Sequence, residues 1–344
     1  FDSTGAESFR IRGDTIRLAE KEGNFLADGN VQVWRTDFTA YSKTLNYVDS
    51  LEIATLTDHP RVLSDGQELT GKLTRLRFQD EKISALFIDE NARANATGKA
   101  YLPADSTGKT RGDSIPTYDE ITGKFMEIYF RDGQADSILV SGMATSLYNV
   151  SEDSIIQGVN EVSGDTIQMK FADKKISTII VIGGTQGRYV PNKTNTNTDT
   201  TVVYSAERIN YFVDRKVTDL YRNAAIQSGD MELTAGKINV RWDENLLYAN
   251  PLNPPPYDSS GSDFPTLNQK GREPFAGESM VYNLKTQRGR IVEGKTKEQD
   301  GFYYGENISK VDKKVFYVSQ GVYTTCDLPN PHYYFRSKQM KLIF

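Results

Sequence analysis

Thr122-Gly123-Lys124-Phe125-Met126-Glu127-Ile128-Tyr129-Phe130-Arg131-Asp132 holds the pattern on which the chain is built. A small residue, Gly123, opens a strand-like run. Two apolar side chains two apart follow, Ile128 and Phe130, and Asp132 ends the run before a second strand reaches Ile138 and Val140. Side chains two apart share one face of a strand, so the pair faces one way and its polar neighbours the other. The Asp suits a tight turn, because its carboxylate can bond the backbone two residues on.

Working outward, the same order recurs. Thr39-Ala40 leads to Leu45, Tyr47 and Asp49, and Thr70-Gly71 to Leu76, Phe78 and Asp80. Ser163-Gly164 leads to Met169, Phe171 and Asp173, and Ser205-Ala206 to Ile209, Tyr211 and Asp214. Thr234-Ala235 leads to Val240, Trp242 and Asp243, Phe275-Ala276 to Met280 and Tyr282, and Gly305 to Ile308, Val311 and Asp312. Asp132, Asp173 and Asp214 are evenly spaced, and the other intervals are shorter. A supersecondary unit repeated every few tens of residues predicts a stacked, quasi-one-dimensional fold. The expectation is all-β: an elongated rolled sheet of repeated short strands of about eight residues, each opening at the small residue. Residues 1–344 read as one continuous domain. Three stretches break the pattern: 92–120 reads as a long loop or partly formed hairpin, 193–201 as a polar turn insertion, and 250–274 as a segment that Pro254-Pro255-Pro256 keeps out of a ladder.

Composition agrees. Of 344 residues, 19 are Tyr, 16 Phe and 27 Gly, a mixture that favours strands and turns over helices. The net charge of -5 leaves no basic footprint, so no nucleic-acid partner is expected. No apolar run approaches the ~18 residues of a membrane helix. No leader pattern is visible at Phe1, which fits a mature form or a piece of a longer protein.

Covalent chemistry finds little to use. The two histidines, His59 and His332, each adjoin a proline, and no zinc spacing exists. Cys326 and His332 lie six apart with no activating group evident nearby. Gly183-Gly184 lacks the following helix of a phosphate loop and reads as a bulge or turn. The carboxylates recur at turns, where solvation explains them. No catalytic residue, metal or cofactor is expected. Two rivals stay open: a secreted β-helical carbohydrate-active enzyme using paired Asp residues on neighbouring coils, and a repeat-built adhesin with a packed core. The single cysteine, Cys326, is either a buried thiol or one half of a bridge to sequence outside this chain.

The closing segment carries a resemblance. Gly321-Val322-Tyr323-Thr324-Thr325-Cys326, a short Pro-containing turn, and Tyr333-Tyr334-Phe335 leading to Ser337-Lys338-Gln339-Met340-Lys341-Leu342 resemble the end of the periplasmic domain of the LptD family, also called OstA or organic-solvent-tolerance proteins. Gly29-Asn30-Val31-Gln32-Val33 followed by Thr39-Ala40 is similar to the OstA repeat shared with the soluble bridge protein LptA. Other cysteines common in that family are missing from these residues, and no barrel strands are among them.

The resemblance implies an elongated, OstA-like β-jelly roll, or β-taco, acting as a non-enzymatic periplasmic conduit for lipopolysaccharide. Lipid A acyl chains would lie in an apolar groove lined by Leu45, Tyr47, Leu76, Phe78, Ile128, Phe130, Met169, Phe171, Ile209, Tyr211, Val240 and Trp242. The first edge, with Phe9, Ile11, Ile16 and Leu18, would extend the sheet of an LptA-like bridge protein. The last edge, near Phe335–Ile343, would abut an outer-membrane β-barrel of the same polypeptide with its plug lipoprotein. Cys326 would pair with a residue outside the chain. A soluble LptA-type bridge protein is the rival within this family.

Overall fold

A computed structural model describes residues 9–19, 21–64, 66–102, 114–192, 200–252, 263–298, 300–312, 314–328 and 330–343. Among them the chain is nearly all strand, with one 3-10 turn at Asp49–Leu51 and no α-helix. It forms two compact units, Phe1–Val181 and Ile182–Phe344.

In the first unit the strands are β1 (Phe9–Arg12), β2 (Thr15–Ala19), β3 (Asn24–Arg35), β4 (Thr39–Val48), β5 (Ile53–Thr57), β6 (Arg61–Ser64), β7 (Gln67–Thr70), β8 (Leu73–Gln79), β9 (Lys82–Tyr101), β10 (Ser114–Arg131), β11 (Gln134–Glu152) and β12 (Ile155–Ala172). The unit boundary falls within β13 (Lys175–Pro191). The second unit continues with β14 (Val202–Phe212), β15 (Val217–Ser228), β16 (Met231–Arg241), β17 (Leu246–Asn250), β18 (Thr266–Gln269), β19 (Phe275–Ala276), β20 (Ser279–Asn283), β21 (Gly289–Glu298), β22 (Gly301–Lys310), β23 (Val315–Thr324) and β24 (Phe335–Ile343). Among the described residues whose register is given, pairing is antiparallel apart from a single parallel bridge, Ile155 to Tyr101.

The turn residues behave as their chemistry requires. Asp80-Glu81, Asp132-Gly133, Asp153-Ser154 and Asp173-Lys174 all take positive φ at both positions, between 49° and 75°. That is the two-residue hairpin geometry whose twist matches the flanking strands, and Asp and Gly tolerate it best.

Thr39-Ala40 opens β4 as expected, and Gly71 lies between β7 and β8, but other small residues do not begin a strand. Gly123, Gly164, Ala206, Ala235 and Gly305 lie in mid-strand, in strands of 10 to 18 residues. At that point the strand folds into two arms; some strands change partner there, whereas β10 and β15 keep β9 and β16 beside them through the corner. In the first unit, β9 pairs with β8 through Lys82–Asp89 and with β7 through Arg93–Ala96. In the second, β16 pairs with β18 through Met231–Thr234 and with β17 through Lys237–Arg241. Two kinds of corner alternate from strand to strand. One is a pair of positive-φ residues, such as Gly142-Met143 or Arg222-Asn223, bulged against a single residue opposite. The other is the small-residue corner. A Cβ on Gly123 would overlap the Val140 side chain, and one on Gly305 would overlap Val318.

Two of the pattern-breaking stretches take definite form. Of the two readings of 92–120 the hairpin holds and the long loop does not: β9 runs to Tyr101 and β10 starts at Ser114, in register from Tyr101↔Ser114 onward. The stretch looked loop-like because its small and polar residues make a ladder by backbone bonds with little apolar content. Within 250–274, Thr266–Gln269 forms β18 and buries Leu267 against the core, since the prolines precede it and remove none of its donors. Thr107-Gly108-Lys109, Arg111-Gly112-Asp113, Pro254-Pro255-Pro256 and most of 193–201 lie outside the described residues. Gly183 and Gly184 both take positive φ within β13.

Candidate functional site

Antiparallel register aligns the inward side chains of successive strands into rungs. In the first unit one rung runs Ala27, Leu45, Leu56, Thr74, Ile88, Met126, Val140, Ile167. None of the eight is more than 3% exposed. The next rung toward the hairpin ends runs Phe25, Tyr47, Ala54, Leu76, Leu86, Ile128, Ile138, Met169. A one-layer sheet cannot bury one face by itself, so these side chains are dry because the two arms face each other. The expected lining residues Tyr47, Leu76, Ile128 and Met169 thus share one rung, while Leu45 belongs to its neighbour. Phe78, Phe130 and Phe171 lie one step further out and are half-buried.

That outer row is an aromatic rim. Phe25 stacks on Tyr47 with ring centroids 5.2 Å apart, and Tyr47 meets Phe78 edge-on at 6.3 Å. The Arg35 guanidinium lies over Phe78 at 5.3 Å. Burial, then the neighbouring Asp49 carboxylate, pushes the Tyr47 phenol above its usual range.

The second unit repeats the design. One rung runs Ile209, Leu220, Ile238, Ala249, Met280, Ile291, Ile308, Val318, Met340. The next runs Tyr211, Thr218, Val240, Leu247, Tyr282, Gly289, Lys310, Phe316, Leu342. Here too Tyr211 and Val240 fall on one rung and Ile209 on the other. Trp242 sits beyond them, its Nε1–H donating to Thr218 Oγ1 at 2.8 Å and its ring 6.1 Å from Tyr189. Phe275 of one arm stacks on Phe316 of the other at 4.7 Å, so the arms are in direct contact.

Sequence reading missed two features of this lining. Thr74 interrupts an apolar rung, and its buried hydroxyl has no hydrogen-bond partner. Lys310 occupies a rung position that other repeats fill with an apolar side chain. It is the one charged side chain buried among the described residues. The clue to Lys310 was its spacing, five residues after Gly305, as Leu76 follows Gly71 and Ile128 follows Gly123.

At the first edge, β1 and β2 both pair with β3 and, among the described residues, with no other strand. Phe9, Ile16 and Leu18 are exposed there, and Ile11 is half-buried. At the last edge β24 pairs with β23, and Phe335 and Ile343 are exposed. The turn before it is stapled by Thr324, whose Oγ1–H donates to the Tyr333 carbonyl at 2.7 Å and accepts the Cys326 N–H at 3.0 Å. Cys326 is a half-buried free thiol, its Sγ 3.7 Å from His332 Nδ1. The described residues hold no group of three or more His, Cys, Asp or Glu able to grip a metal ion.

No family model matches this chain, and no curated protein matches it in sequence. Among solved structures it is similar to the crystal structure of LptH, the LptA-homologous periplasmic component of the lipopolysaccharide transport device of Pseudomonas aeruginosa. The identity is 15%, the TM-score 0.33, and the match covers 43% of this chain and 92% of LptH. A TM-score that low leaves the functional reading to the residues themselves.

Proposed function

We propose that this chain is the periplasmic conduit of an LptD-like lipopolysaccharide translocon. The observation that carries the reading is the pair of apolar rungs in each unit, closed off from water between two facing arms and bordered by half-buried aromatic rings. Each methylene removed from water gains about 0.8 kcal/mol, so an acyl chain needs a continuous apolar track and no covalent step. Because the rung side chains pack on one another, an acyl chain enters by parting the arms at the rim formed by residues such as Tyr47, Phe78, Phe130 and Phe171. Side-chain contacts are then exchanged for acyl contacts, and the phosphorylated sugar stays at the wet seam.

Partners follow from the edges. The unpaired, apolar β1–β2 edge suits strand addition by an LptA-like bridge protein. The β24 edge, with Phe335, would abut an outer-membrane barrel and its plug lipoprotein, and Cys326 would pair with a residue beyond this chain. The site would then work in the periplasm. A soluble bridge protein would share the rungs but would have no use for the Thr324-Thr325-Cys326 corner. A hydrolase would need carboxylates converging on a cleft, whereas Asp80, Asp132 and Asp173 occupy hairpin turns.

A photo-crosslinking amino acid placed at Phe78 or Phe171 tests this in cells. Lipopolysaccharide adducts are expected at both positions and not at outward-facing Met143, which is 84% exposed. Absence of adducts at both rim positions, with the protein folded and localised, overturns the conduit.

A further inference from the structure

The rungs of the first unit stay dry only while its two arms stay together, and Arg35 ties the arms at their outer ends. β3 contributes to both arms, pairing with β2 through residues 24–28 and with β1 through residues 32–35. Arg35 ends the second of these stretches. The hairpin turn Asp80-Glu81, at the end of β8, belongs to the other arm, which runs from residues 24–28 through β4 and β5 to β8.

The Arg35 guanidinium spans from one arm to the other. Its Nη2 donates to the Glu81 carbonyl at 2.9 Å, and its Nε donates to Asp37 Oδ1 on its own side at 3.0 Å. It lies 5.7 Å from the centre of the Phe38 ring and 5.3 Å from that of Phe78, one ring from each arm. The side chain is only 17% exposed, so these groups hold it and water does not. The second unit repeats the ring contact: Arg272, in the turn after β18, lies 5.7 Å from the centre of Phe316 on the facing arm.

An alkyl chain that reaches the rungs by parting the rim must move Phe78, and with it the turn that holds Glu81. That motion pulls the guanidinium off a carbonyl and off one of its two rings. One charge-assisted hydrogen bond and one ring contact at the solvent edge exclude water, yet both groups are rehydrated as soon as they separate, so the tie is reversible.

We propose that Arg35 is a clasp across the open side of the first unit, holding the arms shut while the track is empty and letting go when an alkyl chain passes the rim. This rests on the conduit reading and adds to it the residue that sets how readily the track opens.

The test uses the full chain with nitroxide labels at Gln67 and Lys82, exposed positions at the outer ends of the two arms, and purified lipid A as the probe. The wild type should give one narrow label-to-label distance that lengthens when lipid A is added. Arg35→Met should show the longer distance without lipid and should take up lipid A about tenfold faster, the change expected when a minor open state becomes ten times more populated. Arg35→Lys, which keeps the charge between the rings, should fall nearer the wild type. An unchanged distance in Arg35→Met overturns the clasp and leaves the conduit standing. Slower uptake by Arg35→Met also overturns the clasp, since it would make Arg35 a contact for the lipid. Arms that spread in Arg35→Met while neither protein takes up lipid A would uphold the tie between the arms and overturn the conduit.

Discussion

Thr74 shows how much one atom matters in a dry rung. Its neighbours across the ladder are Leu56 and Ile88, and its hydroxyl bonds to nothing. An unsatisfied buried hydroxyl costs on the order of 1–3 kcal/mol, and valine has nearly the same shape. Thr74→Val is therefore expected to stabilise the protein by about 1 kcal/mol, read as a higher denaturant midpoint with an unchanged slope. Tyr282 makes a pH-dependent case. Burial raises its phenol from 10.0 to about 12. In the unfolded chain the phenol ionises near the lower value, so between the two the unfolded state sheds a proton that the folded state keeps. Stability must fall as pH rises through that window. Tyr282→Phe should flatten this fall, measured as the change in denaturant midpoint from about pH 9 to about pH 11. A slope identical to wild type would place the ionising group elsewhere. Neither Thr74 nor Lys310 could be identified as lining from residue type, because polar side chains are ordinarily assigned to the outer face.

At the scale of the strand, the folded corner governs everything else. Gly123 sits where Val140 of β11 closes over it. Gly123→Ala should cost roughly 1–3 kcal/mol through overpacking, and Val140→Ala a similar amount through lost burial. Combined, they should cost clearly less than their sum, because the truncated valine makes room for the new methyl group. Strict additivity in a double-mutant cycle would mean that the corner is not sterically set. The strands, their alternation and the Asp turns were legible in the sequence, since each is a local preference. The corner was not, although its signature is present. Ala40 and Leu45, Gly71 and Leu76, and Gly123 and Ile128 are all five apart and all point inward. An odd interval between two same-face residues is incompatible with an unbroken strand of period two, so the phase must slip once between them. A strand start and a mid-strand fold both ask for a missing side chain, so the small residue alone does not separate Ala40 at the start of β4 from Gly123 in the middle of β10. Rung membership is hidden from the sequence for a related reason. Leu45 and Leu76 occupy equivalent places in the repeat, but cross-strand register puts Leu76 opposite Ala54 and Leu86, one step from Leu45.

For the molecule as a whole, the fold class follows from composition and repetition, whereas its function depends on edges and interiors that no single repeat displays. Leu18 is 70% exposed on a strand with one paired side. Leu18→Lys should change stability by no more than about 0.5 kcal/mol, as surface substitutions do. If a bridge protein adds its strand here, the same substitution should abolish pull-down of that partner. Retained capture would move the docking edge away from β2. The alternating corners carry a further consequence, for insertions and deletions. Extra residues at the hairpin tips near Asp132 or Asp173 leave every rung in step, but one residue added beside Gly123 or Gly164 exchanges inside for outside along the rest of that strand. A scan of single-residue insertions along this chain should therefore give a banded tolerance map, permissive at the turns and lethal midway between them. Such a map would locate the folds of the sheet from growth phenotypes alone.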